Sequence, residues 1–366
     1  MATLYALMKL LLLTLVAGVH ATASLPATMQ AFVAKSSSSF GFDGSFRTPQ
    51  LGDLHATFGD AEVQSACEVI VAVSYSSVNP CDRGTDASRN PKVLGSDIAG
   101  VVAAVGDGCA RLAVGDKVFG DIGANAHLKN LLKTKTKELG AYAQYAVALE
   151  SQLAKLPAGF DLAEAGSLPK VALTSYKALG QYADGANSTS SLWRDGPTVL
   201  VLGGSGGTGT CGLQLARQFG AAHVITTTSA DNADYCTKLG ADRVIDYKTQ
   251  NWWDTLESDS VDVVYDTVGE RGTGDRALDK IRAGGHYVTI TGAMPTKSKA
   301  GVTANMFINS DTNLDNHAML DEIASLMGAN KLRMPSLQQT FGLADVQKAF
   351  DLSAGGQVVG KVSIKC

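Results

Sequence analysis

Three glycines, Gly204, Gly206 and Gly209, stand in G-x-G-x-x-G spacing within the run Thr198-Val-Leu-Val-Leu-Gly-Gly-Ser-Gly-Gly-Thr-Gly-Thr210. These residue types suit one task, the holding of a pyrophosphate against backbone. The first glycine permits a sharp turn, the second lets backbone approach the phosphates, and the third lets helix and strand pack closely. Ser205, Gly207 and Thr208 complete the turn, the Thr208 hydroxyl being placed either to meet a phosphate or to pack. That chemistry needs a strand before the turn and a helix after it. Val199 to Leu202 reads as a buried strand. Leu213, Ala216, Arg217 and Phe219 recur at helical spacing, and Gly220 suits a helix stop. The helix start offers free N–H groups and a positive dipole end to an anion. In this context the turn predicts dinucleotide binding rather than a bland strand–helix corner.

The elements that follow keep the same rhythm. His223–Thr228 reads as a second strand, Val244–Asp246 as a third, Val261–Asp266 as a fourth and His286–Thr291 as a fifth. Helical stretches fall between them, at Asn232–Leu239, Trp252–Leu256 and Asp275–Ile281. Five strands alternating with helices imply a doubly wound parallel sheet with right-handed crossovers. An NAD site usually carries an acidic residue about 20 positions past the glycines, to bond the ribose hydroxyls. Here the second strand ends at Thr228 and Ser229, whose hydroxyls can donate to a 2′-phosphate, with Asn232 opening the next helix. That favours NADPH. NADH stays open because Asp231 places a carboxylate beside the same strand end, unless it only caps the helix.

The chain ahead of the glycine turn has a different texture. Met29–Ala34 reads as a strand, Ser36–Gly44 as a polar loop, and Cys67–Val78 as an alternating strand ending at Asn79-Pro80. Leu94–Gly106, Ala113–Gly120 and Gly140–Ala148 are further strand candidates, so this half is mostly β. Leu153–Pro157 and Leu162–Leu168 lead into a helix at Val171–Leu179, and Ala183–Pro197 reads as a polar linker. Gly123–Lys137 is irregular. Beyond the fifth strand, Leu320–Met327 is helical and Val358–Ile364 is a last strand with no helix after it.

With 366 residues the chain has room for about two domains. Its net charge of −4 and the lack of a long basic run exclude a nucleic-acid surface. Lys9, an apolar Leu10–Val19 and Ala21-Thr-Ala23 follow the order of a secretory signal peptide cleaved after Ala23. The apolar run is too short for a stable membrane span. The expected location is therefore the secretory pathway or the extracellular space, or the cytoplasm if translation starts at Met29. Asn187-Ser-Thr189 is a glycosylation sequon. The six cysteines (67, 81, 109, 211, 236 and 366) show no framework spacing and read as buried free thiols.

Taken in order, several segments resemble the medium-chain dehydrogenase/reductase superfamily, and within it the zinc-free quinone oxidoreductases related to ζ-crystallin and the reticulon-interacting oxidoreductases. They are Ser77-Val-Asn-Pro-Cys-Asp82, Leu94-Gly-Ser-Asp-Ile-Ala-Gly-Val-Val102, Val114-Gly-Asp-Lys-Val118, Gly140-Ala-Tyr-Ala-Gln-Tyr145, Ser167–Tyr176, the glycine turn, Leu239–Tyr247, Val264–Gly269 and Gly360-Lys361. The resemblance runs from Met29 to the end. It implies a GroES-like β-rich domain (24–165, with 330–366 returning to it), a Rossmann domain (166–329) and a cofactor cleft between them, after a leader at 1–23. Homodimers are common in the family.

Zinc-dependent relatives bind catalytic metal through a cysteine and a Gly-His-Glu segment. By position these correspond to Asn79 and to Gly95-Ser96-Asp97, and neither Asn nor Ser is a customary zinc ligand. The cysteine quartet of a structural zinc lobe is missing, and the histidines have no metal spacing, so no metal is expected. The resemblance places Tyr247 near the 2′-phosphate, Thr174, Thr267 and Gly292 around the nicotinamide, and Lys361 at the cofactor or the domain junction. Asn79 is the first candidate for a polar group at the acceptor carbonyl, against a turn-shaping role before Pro80; Tyr142 is the second, against wall packing. Lys170 stands where relatives carry an apolar residue or tyrosine. Enoyl-thioester reductases have a tyrosine donor just after N-P-x-D, and Arg83–Asn90 contains none. The expected activity is NADPH-dependent hydride transfer to a quinone or related α,β-unsaturated carbonyl. The competing readings are an alkenal/enone double-bond reductase and a secreted non-catalytic binding protein.

Overall fold

The computed structural model describes residues 24–36, 39–57, 66–83, 93–123, 140–187, 189–307 and 315–366. The leader and its cleavage site, nearly all of Arg83–Asn90 and of the irregular Gly123–Lys137, and Ser188 of the sequon lie outside the described residues.

β1 (Thr28–Ser36) and β2 (Ser39–Arg47) form an antiparallel hairpin. The second strand replaces the polar loop expected at Ser36–Gly44. Its period-two signal is carried by Phe40, Phe42 and Phe46, with serine, glycine and aspartate between them. Phe40 packs on the cluster around Val78 and Tyr142, and Phe46 on that around Met29. β3 (Glu68–Ser77), β4 (Asp97–Val105), β5 (Lys117–Asp121), β6 (Tyr145–Leu149) and β7 (Leu153–Lys155) make an antiparallel sheet. The alternating Val69, Val71 and Val73 of β3 bury against Ile98, Val102 and Val118.

From Thr198 the chain changes to a parallel sheet of β8 (Thr198–Leu202), β9 (His223–Thr228), β10 (Arg243–Asp246), β11 (Val261–Asp266), β12 (Ile281–Thr289) and β13 (Thr303–Met306). The spatial order is β10-β9-β8-β11-β12-β13, with every pairing parallel. The order reverses at β8, so a crevice opens beyond its C-terminal end, where such sheets bind ligands. The sixth strand was not expected from the sequence. β13 is four residues long, lies at the sheet edge and has no fully buried side chain, so it lacks an apolar run.

The chain then returns. β14 (Leu337–Gly342) and β15 (Lys361–Lys365) extend the first sheet, β15 lying antiparallel to β3 with Ser363 opposite Ser77. β14 and the helix Val346–Ala354 are also additions to the sequence reading; every residue of β14 is at least partly exposed. Between the two sheets runs the helix Pro169–Tyr176, buried at all eight positions, which continues as a π-helical stretch through Tyr182. A helix enclosed on every side is a core element. One apolar cluster passes from Ala99, Phe119 and Ala154 through Leu168–Leu179 to Val199, Val201 and Leu213, so the two sheets share a core. The expected linker at Ala183–Pro197 contains a short helix, Ser191–Arg194, whose Trp193 is buried.

Cysteine pairing departs from the sequence reading. Cys67 and Cys109 form a disulfide with Cα atoms 5.2 Å apart, while Cys81, Cys211, Cys236 and Cys366 are outside any disulfide. The pair is far apart in sequence but lies just past the last rung of β3 and β4, where Gly106 N–H donates to Glu68 O. Only the register of those strands brings the sulfurs together.

Candidate active site

The glycine turn leaves the end of β8, and its shape explains its composition. Gly203 has φ +82°, a left-handed conformation that favours glycine. A Cβ on Gly209 would lie 2.1 Å from the Gly203 carbonyl oxygen, and one on Gly204 would lie 2.2 Å from Thr226 Oγ1. Gly206 is different, since nothing would come closer than 3.5 Å to its Cβ. Its open face precedes the helix Gly207–Phe219, which ends at Gly220 in the left-handed region.

A cavity of ≈ 520 Å³ lies over this turn, lined by Ser205 and Gly206 and by Thr228, Tyr247, Trp252 and Thr267, among others. Its volume is in the range of a small-molecule site. The residues fit a dinucleotide, with free N–H groups at the helix start for the pyrophosphate and aromatic rings at the far end. Thr228 Oγ1 donates to Ser205 Oγ at 2.8 Å, and Thr267 Oγ1 to Leu202 O at 2.7 Å, so both hydroxyls brace the strand ends. Asn232 Nδ2 donates to Ser229 Oγ at 3.0 Å just past β9; neither residue is among the lining residues, and Asp231 beside them is exposed. Tyr247 is 51% exposed and free to meet a ligand. Thr174 is buried on the central helix, whose next residue donates from Ser175 Oγ to Thr208 O at 2.8 Å. Gly292 turns with φ +86° beyond β12.

Opposite the turn is a buried polar network that the sequence reading had only in pieces. Asn79 Nδ2 donates to Asp97 Oδ2 at 2.7 Å, and Lys361 Nζ donates to Asn79 Oδ1 at 2.6 Å and to Val78 O at 2.9 Å. The Lys361 stem lies on the glycine turn, where a Cβ on Gly207 would come 2.7 Å from Lys361 Cδ. Gly360 N–H donates to Ser205 O at 2.8 Å and holds β15 against the turn. One side chain therefore joins the glycine turn to the turn after β3, bringing two separately named candidates, Asn79 and Lys361, into contact. Tyr142 is wholly enclosed, its ring beneath Gly95 and its hydroxyl donating to Asp82 Oδ2 at 2.9 Å and Ser77 O at 3.2 Å. It stands behind Asn79, whose own N–H also reaches Asp82 Oδ2.

Lys170, flagged as unusual, is buried and pairs with Asp121 Oδ2 at 2.9 Å. Burial alone lowers an ammonium pKa, but Asp121 beside it, helped by Cys81 and Asp82, reverses this and holds Lys170 above the ordinary lysine value. Burial raises the Asp82 and Asp121 carboxyls, with Lys170 opposing in both cases. Burial also pushes the Cys81 thiol up to about 12. Asp82, Asp97, Asp121 and Ser96 were not site candidates from sequence. Asp82 and Asp97 stood inside quoted motifs, whereas Asp121 carried no signal at all.

At the positions that correspond to zinc ligands the structure puts an amide, a hydroxyl and the Asp97 carboxylate, with the Lys361 ammonium against the amide and the carboxylate; of these only the carboxylate is a customary zinc ligand. Among the described residues, the metal-capable grouping is Cys67, Cys109 and Glu150. Its sulfurs are joined to each other, and the Glu150 carboxylate accepts N–H groups from Ala110, Arg111 and Leu112.

Comparison with known proteins agrees with this architecture. The family model for an alcohol dehydrogenase GroES-like domain matches residues 65–158, and that for a zinc-binding dehydrogenase matches residues 239–364. A 2-methylene-furan-3-one reductase of Solanum lycopersicum is 33% identical over 308 residues, covering 81% of this chain and 71% of that protein. A chloroplastic NADPH-dependent alkenal/one oxidoreductase of Arabidopsis thaliana is 33% identical over 248 residues, covering 65% of this chain and 59% of that one. The structure of a quinone oxidoreductase from Coxiella burnetii shares the fold with a TM-score of 0.69 at 23% identity, covering 93% of this chain and 98% of that one. With two sheets joined as described and a relative of this similarity over most of both lengths, the chain belongs to the medium-chain dehydrogenase/reductase superfamily.

Proposed function

We propose that this protein is a metal-independent, NADPH-dependent reductase of α,β-unsaturated carbonyls, quinones included. The observation that carries the reading is the Lys361–Asn79 contact, which sets a buried cation between the glycine turn and the acceptor side of the cleft. The nicotinamide, when bound, supplies the hydride. The glycine turn and the start of the helix Gly207–Phe219 hold the pyrophosphate. Thr228, which lines the cavity, brings a hydroxyl rather than a carboxylate to the end of β9, and Tyr247 stands beside it, which favours a 2′-phosphate. Hydride addition to a conjugated carbonyl leaves negative charge on its oxygen. A fixed ammonium nearby, held by the Asn79 amide oxygen, stabilises that charge without reorganising, the general advantage of preorganised dipoles and charges. Tyr142 holds Asp82, and through it the Asn79 backbone, in place. The names of the Solanum and Arabidopsis relatives, both reductases of conjugated carbonyls, support this substrate class.

Purified protein incubated with NADPH or NADH and with 1,4-benzoquinone, 9,10-phenanthrenequinone or an enal tests the proposal. The expected result is faster turnover with NADPH on at least one conjugated acceptor. Absence of nucleotide binding would sink it in favour of a binding protein, and turnover of enals but not quinones would narrow it to double-bond reduction.

We also propose that the chain matures in an oxidising compartment, as its leader-like N-terminus suggests; the Cys67–Cys109 disulfide supports this, because such bonds persist mainly there. Peptide mapping without reductant is expected to recover the two cysteines linked in secreted protein. Replacing both by serine is expected to lower stability by ~2–4 kcal/mol, read by chemical denaturation. Six alkylatable thiols in secreted protein would contradict the compartment.

A further inference from the structure

We infer that Asp97 is a positioning residue, whose carboxylate fixes which way round the Asn79 amide is held and so presents the amide oxygen to Lys361. This rests on the proposed role of the Lys361–Asn79 pair.

Asp97 is 0% exposed, and donors converge on it from three directions. Lys170 N–H reaches Oδ1 at 2.7 Å from the first turn of the central helix. Ser77 Oγ donates to Oδ2 at 2.6 Å, Asn79 Nδ2 at 2.7 Å, and Lys361 Nζ approaches the same oxygen at 3.5 Å. The other charged or titratable groups facing this cluster are Asp82, Asp121, Cys81, Cys211, Tyr142 and the Lys170 ammonium. Asp97 is itself held by the pairing of β4 with β5, where it lies opposite Asp121, and by Ser76 Oγ on its carbonyl at 2.5 Å.

The logic is one of polarity. An ionised carboxylate only accepts hydrogen bonds, whereas an amide has one accepting and one donating end. With Asp97 beside it, Asn79 must turn its NH₂ toward the carboxylate, and its oxygen then faces the ammonium. An amide at position 97 would put an NH₂ where Oδ2 now stands. Asn79 would then turn over to satisfy it, and its own NH₂ would meet Lys361, leaving the ammonium without its partner.

The test is a pair of variants. Asp97→Asn keeps the shape and inverts the polarity, and is expected to lower kcat by ~10²-fold, the scale of loss that follows small misplacement of a reacting group. NADPH affinity, measured by fluorescence, is expected to stay within a few-fold. The exchange Asn79→Asp with Asp97→Asn restores a consistent arrangement. Asp at 79 accepts from Lys361, Asn at 97 donates to it, and the residue-97 oxygen still takes the Lys170 N–H. This double variant is expected to recover kcat to within ~10-fold of the parent. Denaturation midpoints of the same variants read the polarity without turnover, the exchange being more stable than Asp97→Asn alone. An inactive parent chain would remove the proposed activity but leave that stability comparison standing. An Asp97→Asn chain with parental kcat, or an exchange variant no faster and no more stable than Asp97→Asn, would overturn the inference. Should Asp97→Asn not fold, a folded, active exchange variant supports it, and a folded but slow or an unfolded one overturns it.

Discussion

Lys361→Met is expected to lower kcat for a conjugated carbonyl by ~10²–10³-fold, the cost of losing one preorganised charge or donor at the site of developing charge. Methionine is nearly as long as the lysine stem and as unbranched, so the packing on Gly207 and the hold of β15 on the turn survive. What disappears is the ammonium. Asn79 Oδ1 and Val78 O lose their donor within a buried site, and an unmatched buried acceptor costs ~1–3 kcal/mol. The measurement is kcat and KM for the acceptor alongside a direct NADPH titration. A cofactor anchor alone would show as weaker NADPH binding with kcat intact, which would remove Lys361 from the acceptor side. A fall in kcat with the titration unchanged places it there.

Lys170→Met has its large expected effect on stability. The ammonium is buried and pairs with a carboxylate that is wholly enclosed. Removing one partner of such a pair typically costs ~3–5 kcal/mol, because the remaining charge is stranded. The remaining group is Asp121, whose carboxyl burial already raises. A carboxyl with a raised folded-state pKa binds more protons folded than unfolded, so its stabilising share is present at low pH and lost as pH rises through the folded value. The deficit of Lys170→Met is therefore expected to grow from mildly acidic to neutral pH. Adding Asp121→Asn is expected to recover much of it and to flatten the pH dependence. Urea denaturation of the parent, the single and the double variant at both pH values checks this; a deficit that shrinks as pH rises would contradict it.

The residues above show where sequence reading stops. The glycine turn was legible because backbone geometry selects the residue type: Gly204 and Gly209 have no room for a Cβ, and that requirement is written in the letters themselves. The parallel sheet was legible from period and spacing, except at β13, and the first sheet was legible except at β2 and β14; at β13 and β14 exposure removes the apolar signal. The polar network was not legible as a network. Asn79, Asp97, Lys170 and Lys361 come from four elements spread over most of the chain, and only the sheet register makes them neighbours. Lys170 could be seen as odd, yet its reason, Asp121, sits at the end of a strand with nothing local to mark it. The disulfide belongs to the same class, since strand register and not spacing pairs Cys67 with Cys109.

The return of β15 to β3 has a consequence for biosynthesis. Ser363 Oγ reaches the carbonyl of Ser76, 287 positions away. Contacts of that span form late, since most of the chain must exist before they can close. The parallel sheet, closed by strands between Thr198 and Met306, can assemble while the ribosome still holds the C-terminus. The antiparallel sheet waits for its last strand, and Lys361 arrives with it. The cleft is thus completed only after the parallel sheet that forms its floor, and a chain cut short before Lys361 has the glycine turn without the cation that faces it.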